Sequence, residues 1–136
     1  MDKNKIVDAL NAARKEELTS ILQYLQHHYL AKGLESPPVA ELFKKLSLTE
    51  MKHAYALAER IVALGGKPAT NIDPLNIPAK LTDMIKVNLD LEKRAIVSYK
   101  KWITLASDDS TTRRMLEDIL ADEEEIATQL STLLEE

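Results

Sequence analysis

Apolar residues recur along the chain at helical spacing, every three or four positions, in four long segments. Glycine or proline stands at the first two junctions between the segments, and an Asp108-Asp109-Ser110 cluster stands at the third, where helices are expected to end or begin. Each segment has roughly 26–28 residues, which corresponds to a helix about 40 Å long at ~1.5 Å per residue. The predicted helices run from about Lys5 to Lys32, from Ser36-Pro37-Pro38 to Gly65-Gly66, from just after Pro78 to about Ala106, and from Asp108-Asp109-Ser110 to the C-terminus.

The connection between the second and third helices is longer than the other two. It extends from Gly66 to Pro78, 13 residues that include Pro68 and Pro74. Fully extended, it spans at most about 43–47 Å at ~3.3–3.6 Å per residue, which is the length of one helix. The sequence therefore predicts an all-α fold, an antiparallel four-helix bundle with one long crossover between the second and third helices. We expect a single domain over residues 1–136.

The composition agrees with a helical bundle and excludes several classes of protein. Of the 136 residues, 45% are hydrophobic and only three are glycine, as expected of helices around a buried core. The absence of cysteine excludes disulfide scaffolds and cysteine-bound metal. No apolar run approaches the roughly 18 residues of a membrane span, and the first residues do not resemble a signal peptide. With a net charge of −4 and no basic patch, we expect a cytoplasmic protein without nucleic-acid or membrane partners.

Each predicted core stripe carries an acidic residue near its middle. Glu17, Glu50, Glu92 and Glu123 stand at core-spaced positions of the four helices, and His53 follows three residues after the second of them. A buried carboxylate is unfavourable unless it is paired or binds metal, and four in one core repel one another. Two divalent cations would neutralise the four charges, and a Glu-x-x-His pair on one helix face can bind one ion. Oxygen-rich ligation with imidazole suits iron or manganese.

The spacing of these residues is repeated between the two halves of the chain. Glu17 and Glu50 are 33 residues apart, and Glu92 and Glu123 are 31 apart, so each hairpin supplies two glutamates at matching heights. Taken singly, a glutamate at such a position more often lies at the edge of a core. A lone histidine such as His53 is more often a hydrogen-bonded core residue, and most acidic runs like the one around Glu123 are solvated. The coincidence of all five at one level favours a di-metal centre.

Longer motifs surround these five residues. They are Glu17-Leu18-Thr19-Ser20-Ile21-Leu22-Gln23-Tyr24, Glu50-Met51-Lys52-His53-Ala54, Glu59-Arg60-Ile61, Leu64-Gly65-Gly66-Lys67-Pro68, Asn88-Leu89-Asp90-Leu91-Glu92 and Ile119-Leu120-Ala121-Asp122-Glu123-Glu124. Together these motifs resemble the four ligand helices of bacterioferritins, members of the ferritin-like di-iron carboxylate family. The resemblance extends over nearly the whole chain and implies the ferritin-like form of the predicted bundle.

The resemblance implies a role for each of the five residues. Glu50 and Glu123 match carboxylates that bridge two irons. Glu17 and His53 match the ligands of one iron, and Glu92 matches a ligand of the other. The resemblance further implies a ferroxidase, which oxidises ferrous iron with oxygen or peroxide and stores ferric mineral in a hollow shell. We therefore expect these five residues to be both catalytic and metal-binding, with two irons per chain or manganese in their place.

One position departs from the family pattern. The fourth helix of the family carries Glu-x-x-His, but here Glu123-Glu124-Glu125 is followed by Ile126. The second metal then keeps Glu92 and the bridging carboxylates but loses its nitrogen ligand, so we expect an asymmetric centre with the tighter metal beside His53. Water, or Asn88 one turn before the third-helix glutamate, could complete the second position. The alternative is an iron- or haem-binding or shell-forming subunit with impaired ferroxidase activity.

The first and second helices each have a second apolar stripe. The stripes are Leu18, Leu22, Leu25, Tyr29 and Leu48, Met51, Tyr55, Ala58, Val62. A helix that is apolar on two sides must bury both, which predicts a homodimer through these helices. By the same resemblance, Met51 matches a methionine that binds haem b between two subunits, although a methionine packed in an interface is the commoner case. The resemblance leaves a 24-subunit shell, a 12-subunit shell and a plain dimer as alternatives.

Four further residues lie near the predicted centre. His28 falls in the core stripe of the first helix and His27 is rotated off it, and both are expected to be packing or surface residues rather than metal ligands. Tyr24 and Tyr99 are expected to donate hydrogen bonds at the site. Two other di-metal functions fit less well. Rubrerythrin-type peroxidases use an additional cysteine-bound iron, and DNA-protecting mini-ferritins place metal between subunits and need a surface that attracts DNA.

Overall fold

Four α-helices account for the fold over residues 2–135, the part of the chain that the computed structural model describes. They are α1 (Lys3–Leu30), α2 (Ser36–Ala63), α3 (Leu81–Leu105) and α4 (Ser110–Leu134). The α1–α2 and α3–α4 pairs form hairpins, and α1 also packs against α3 and α2 against α4. The predicted all-α four-helix bundle is therefore confirmed, and no helix in this part of the chain is both long enough and apolar enough to cross a membrane.

The helix ends follow local signals in the sequence. The side chain of Asp2 accepts hydrogen bonds from the backbone N–H groups of Asn4 and Lys5, at 3.1 and 3.2 Å, and so caps α1. Asp109 caps α4 by accepting from the backbone N–H of Thr112. The α2 helix ends at Ala63, and Gly65, two residues later, has a φ of 87°, a conformation that side-chain-bearing residues rarely adopt. These caps fix where each helix begins and ends, and therefore the height of the residues within it.

The crossover occupies residues 64–80 and lies along α1. At one end, the Asn11 side chain donates to the Lys67 carbonyl (3.0 Å) and accepts from the Ala69 N–H (2.8 Å). At the other end, the Gln23 side chain accepts from the Asn76 N–H (3.1 Å) and donates to the carbonyl of the same residue (2.5 Å). Two amide side chains thus satisfy backbone groups that have no helix or strand to bond with.

Between these two anchors, two more α1 residues hold the middle of the crossover. Lys15 forms an ion pair with Asp73 at 2.9 Å, and the Thr19 hydroxyl accepts from the Asp73 N–H at 3.0 Å. These four α1 residues are spaced four apart and share one helix face: Asn11, Lys15, Thr19 and Gln23. Arg14, the residue before Lys15, also donates to the Ala69 carbonyl, at 2.8 Å.

Replacing Gln23 with alanine should destabilise the fold. Gln23 is buried, and its loss leaves the Asn76 backbone groups unsatisfied as well as removing a contact of 3.1 Å to His27 Nε2. We expect Gln23→Ala to lower the free energy of unfolding by about 1–3 kcal/mol in urea denaturation. Gln26→Ala, on an exposed position of the same helix, is the control and should change it little. Equal free energies of unfolding for the two variants would mean that Gln23 contributes nothing to the stability of the fold.

The interior consists of two apolar clusters with a polar layer between them. The first cluster includes Ile6, Leu10, Leu57, Ile61, Tyr99, Leu116 and Ile119. The second includes Tyr24, Val39, Phe43, Leu46, Met84, Leu89, Ile126 and Leu130. The five predicted site residues belong to neither cluster, and their positions in the sequence fall between those of the two.

The prediction that His28 lies in the core stripe, with His27 rotated off it, is wrong. His27 is the fully buried one, with Gln23 Nε2 at 3.1 Å and Asn88 Nδ2 at 3.0 Å from its two ring nitrogens. His28 is half-buried, and its Nδ1 lies 2.6 Å from the Ala40 carbonyl. A helix rotates by about 100° per residue, so both positions follow Tyr24 at core spacing. The side-chain amides of Gln23 and Asn88 stabilise His27 in the buried position.

Candidate metal centre

Each helix of the bundle contributes a carboxylate to the polar layer, and α2 adds an imidazole. All five predicted residues are buried, and none has more than 5% of its surface exposed: Glu17, Glu50, His53, Glu92 and Glu123. The helix periodicity turns these positions inward together with their apolar neighbours, so the acids cannot reach solvent without disturbing the core. Their burial is the first sign that something other than water neutralises them.

Four of these five residues converge on one point. Each offers one ligand atom, and the four atoms lie within 4.8 Å of one another: Glu17, Glu50, His53 and Glu123. His53 Nδ1 faces all three acids, at 2.9 Å from Glu123 Oε1, 3.4 Å from a Glu17 oxygen and 3.9 Å from a Glu50 oxygen. Three carboxylates with one imidazole form a donor set that suits iron or manganese.

Glu92 stands apart from this group. Its Oε1 accepts a hydrogen bond of 2.7 Å from the Tyr24 hydroxyl. Asn88, one turn earlier on α3, is buried beside His27. On α4, Ile126 lies one turn after the α4 glutamate and is packed into the same apolar cluster as Tyr24. The centre is therefore asymmetric in this structure, with a four-residue group on one side and one glutamate on the other.

Buried atoms without a hydrogen-bond partner are concentrated in this layer. Although His53 Nδ1 and Glu123 Oε1 are 2.9 Å apart, their orientation is not that of a hydrogen bond. Buried polar atoms in folded proteins are nearly always satisfied. Within residues 2–135, the unsatisfied side-chain atoms of the layer are Glu17 Oε2, Glu50 Oε1, His53 Nδ1, Asn88 Oδ1, Glu92 Oε2 and Glu123 Oε1. Cations would satisfy these oxygens and also His53 Nδ1 when that nitrogen is unprotonated, so the residues present fit a metal.

A residue that the sequence did not single out orients the imidazole. Asp122 Oδ2 lies 2.8 Å from His53 Nε2, and about half of the Asp122 side chain is exposed. In the tautomer that protonates Nε2, this carboxylate accepts its hydrogen, and the Nδ1 lone pair points at the three glutamates. The available signal was the position of Asp122 immediately before Glu123. An exposed acid in an acidic run does not indicate such a role by itself.

The two predicted tyrosine hydrogen bonds are confirmed. The Tyr99 hydroxyl donates to Glu17 Oε1 at 2.5 Å, and the Tyr24 hydroxyl donates to Glu92 as described. Burial and the neighbouring carboxylates raise the pKa of both phenols well above the usual value, so both remain protonated donors. Each tyrosine therefore fixes one oxygen of its glutamate and leaves the other oxygen to face the layer.

The layer holds protons when it holds no metal. Burial, together with Glu17 and Glu123, raises the pKa of Glu50 well above its usual value. Burial and Glu17 also raise the pKa of Glu123 to about 7, against the opposing effect of His53. For His53, burial lowers the pKa, but contact with Glu123 and Glu17 outweighs it and raises the pKa to about 11. Burial raises the pKa of Glu17 as well, yet contacts with Glu50 and His53 prevail and lower it. A metal must displace these protons to bind.

The fold and the layer define a class of protein, the four-helix bundle with a buried carboxylate–histidine centre and one long crossover. Residues 7–136 match the family model of the ferritin-like domain. The chain is 33% identical over 132 residues to the bacterioferritin of Mycobacterium leprae, covering 95% of this chain and 83% of that one. The chain belongs to the ferritin-like family, and the resemblance to bacterioferritins is confirmed.

Two solved structures show the same architecture. One is the bacterioferritin of Rhodobacter capsulatus, described with a metal-free dinuclear site and a haem iron. It is 30% identical, with a TM-score of 0.91, and the match covers 97% of this chain and 84% of that chain. The other is the bacterioferritin-related protein of Bacteroides fragilis, a dodecameric thioferritin. It is 26% identical, with a TM-score of 0.92, over 98% of this chain and 86% of that one.

Proposed function

We propose that this chain binds ferrous iron in the polar layer and oxidises it with oxygen or peroxide, for iron storage and detoxification. The observation that carries the proposal is the convergence of four buried ligand groups within 4.8 Å, with unsatisfied atoms that face one another. The bacterioferritin relatives support iron as the metal, with manganese as the alternative. Electron transfer to the oxidant belongs to the bound iron, and the chain supplies its position and charge balance.

Each residue has a defined part in this proposal. Glu17 and His53 would hold the first iron, and Glu50 and Glu123 would be shared between the two iron positions. Glu92 holds the second iron, which lacks a nitrogen ligand because Ile126 occupies the place of the family's second histidine. The clustering of the first four groups and the separation of Glu92 support unequal affinities for the two irons.

An anaerobic titration of the metal-free protein with ferrous iron tests the proposal. We expect one tightly bound iron per chain, a second bound weakly, and oxidation when air is admitted. Glu50→Gln should abolish tight binding, whereas Glu41→Gln, at an exposed position of the same helix, should bind iron as the wild type does. The absence of tight iron in the wild type would overturn the proposed metal centre. Two tight irons would overturn the asymmetry alone.

The alternative is a subunit whose ferroxidase activity is impaired. The buried Ile126 is the observation that favours it, since an apolar side chain packs where a metal ligand is expected. Such a subunit would bind one iron tightly and oxidise it slowly, and would serve in shell formation or haem binding. The oxidation rate in the same experiment separates the two functions.

We further propose a homodimer through α1 and α2 with haem b bound at Met51. The predicted apolar stripes are exposed in the single chain, and more than half of each of these side chains is accessible: Tyr29, Leu48, Tyr55 and Val62. The half-buried Met51 lines a cavity of about 210 Å³ on this face, beside Leu18 and Tyr55. The complete assembly is then either this dimer alone or a 12- or 24-subunit shell built from such dimers, and the dodecameric relative favours the shell.

Sedimentation and a haem titration test this assembly. We expect the wild type to be dimeric or larger, and Tyr55→Glu to shift it to a monomer because a charge is placed in the buried interface. One haem per two chains should bind, and Met51→Leu should abolish this binding. Met115→Leu, which alters a half-buried methionine of α4, is the control. A monomeric wild type, or haem binding that survives Met51→Leu, would contradict the respective part of the proposal.

A further inference from the structure

Two adjacent cavities lie between the surface and the polar layer. The outer cavity, of about 450 Å³, lies between α1, the crossover and α3, and the exposed residues Pro74, Asn76 and Lys86 form part of its wall. The inner cavity, of about 60 Å³, is lined by Glu16, Glu17 and Glu50. The two share four lining residues and are therefore adjacent: Thr19, Asp73, Leu91 and Arg94.

The lining of the inner cavity carries four acids and one base: Glu16, Glu17, Glu50 and Asp73 against Arg94. Arg94 forms an ion pair with Asp90 at 2.9 Å, and Lys15, near the opening, is paired with Asp73 at 2.9 Å. Glu16 lies half-buried at the inner end. Glu16 Oε1 accepts a weak hydrogen bond of 3.4 Å from Ser98, whereas its Oε2 has no partner within residues 2–135.

Two ligand residues of the metal layer line this same space, and each has one carboxylate oxygen without a hydrogen-bond partner among residues 2–135. Glu17 and Glu50 are at most 2% exposed and both line the inner cavity. Glu17 Oε2 and Glu50 Oε1 have no hydrogen-bond partner among residues 2–135. The inner cavity therefore brings the Glu16 carboxylate together with two ligands of the centre, and the outer cavity lies directly beside it.

We propose that divalent cations reach the centre through these cavities and that Glu16 is the carboxylate that passes them from the outer cavity to Glu17 and Glu50. This inference rests on the proposed function. An ion that moves from a space of about 450 Å³ into one of about 60 Å³ cannot keep its full shell of water. An oxygen of Glu16 replaces lost water, and the negative charge of its ionised form attracts the cation in a cleft with low-dielectric walls. Glu16 is a positioning residue, outside the set of permanent ligands.

The rate of Co²⁺ binding to the metal-free protein tests this role. Co²⁺ is not oxidised under these conditions, and its visible absorption reports ligation directly in stopped flow. We expect Glu16→Gln to lower the second-order association rate roughly tenfold, because steering by charge in clefts changes on-rates by about 10–10³-fold. The final spectrum and the number of bound ions should remain those of the wild type. Glu16→Asp, which keeps the charge, should restore most of the rate.

Two further variants separate the route from general effects. Leu91→Phe places a larger side chain in the lining that both cavities share and leaves less space for an ion. It should slow binding without any change of charge. Glu41→Gln removes an exposed carboxylate of α2 and should leave the rate unchanged. The inference is overturned if Glu16→Gln binds Co²⁺ at the wild-type rate, or if the variant changes the final spectrum, which would make Glu16 a ligand. A wild type that binds no Co²⁺ would overturn the proposed function as well.

Discussion

Manganous ion at 100 times its Kd should raise the Tm of the metal-free protein by roughly 10 °C at pH 7.5. At that concentration, a ligand specific to the folded state adds about 2.7 kcal/mol, and each kcal/mol shifts the Tm of a domain of this size by several degrees. The reason is the buried layer, in which Glu17, Glu50 and Glu123 have unsatisfied oxygens that a cation would bind. Differential scanning calorimetry with and without Mn²⁺ measures the shift without the complication of oxidation.

The shift should depend on pH, and its sign follows from the protons that the layer holds. Glu50 and Glu123 have folded-state pKa values raised above the ordinary 4.5, so they keep protons that the unfolded chain releases. Their contribution to stability is complete below about pH 4.5 and is lost as pH rises, through about 7 for Glu123. His53, raised from 6.5 to about 11, loses its contribution over that interval.

The contribution of Glu17 to stability changes with pH in the opposite direction, but only below about pH 4.5. Its pKa is lowered, so its contribution is present above about 4.5 and is lost only as pH falls through the lower folded value. The metal-free protein should therefore lose stability between about pH 5 and 9. Metal competes with fewer bound protons as pH rises, so the Tm gain should be larger at pH 7.5 than at pH 5.5.

Glu50→Gln is the variant that tests whether the layer is responsible. It removes one bridging carboxylate and should abolish most of the Mn²⁺-dependent gain, while Glu41→Gln should retain the whole of it. Equal Tm values for the wild type with and without Mn²⁺ would contradict a buried metal centre. A gain that persists in Glu50→Gln would place the bound metal elsewhere on the chain.

The sequence predicted the height of the site well, because helical periodicity is a strong constraint. Four glutamates in four apolar stripes have to lie in one layer once the hairpins pair, and the structure places all of them there. Periodicity assigns a residue to a helix face, but it does not give the direction of a ligand atom. The separation of Glu92, which is bonded to Tyr24, from the other acids could therefore not be read from spacing alone.

Two other features depend on partners that lie far away in the sequence. Asp122 looks like an ordinary surface acid until His53, 69 positions earlier, is placed beside it. The choice between His27 and His28 depends on Asn88, which lies 61 positions from the first of them. The crossover was predicted from its length and prolines, but the α1 side chains that hold it were not recognised. A polar side chain in a sequence does not indicate which backbone it will bond with.

Ile126→His should convert the asymmetric centre into one that holds two irons tightly. Ile126 is 4% exposed, lies one turn after Glu123 and packs in the cluster that contains Tyr24, the hydrogen-bond donor to Glu92. A histidine there adds the missing nitrogen on the Glu92 side. We expect the number of tightly bound ferrous ions to rise from one to two per chain. The single-turnover oxidation rate should rise roughly tenfold or more, because a ligand that lowers the activation barrier by about 1.4 kcal/mol raises the rate tenfold.

The substitution should also change stability in a way that identifies its cause. Without metal, a histidine in this apolar cluster lacks a partner, and Ile126→His should be less stable than the wild type by about 1–3 kcal/mol. Metal should recover this loss, because the imidazole then has a ligand role. Ile126→Leu keeps the cluster apolar, and it should leave both the iron stoichiometry and the oxidation rate unchanged. If the wild type already binds two irons and Ile126→His oxidises them no faster, nitrogen ligation does not limit this centre, and water or Asn88 completes it.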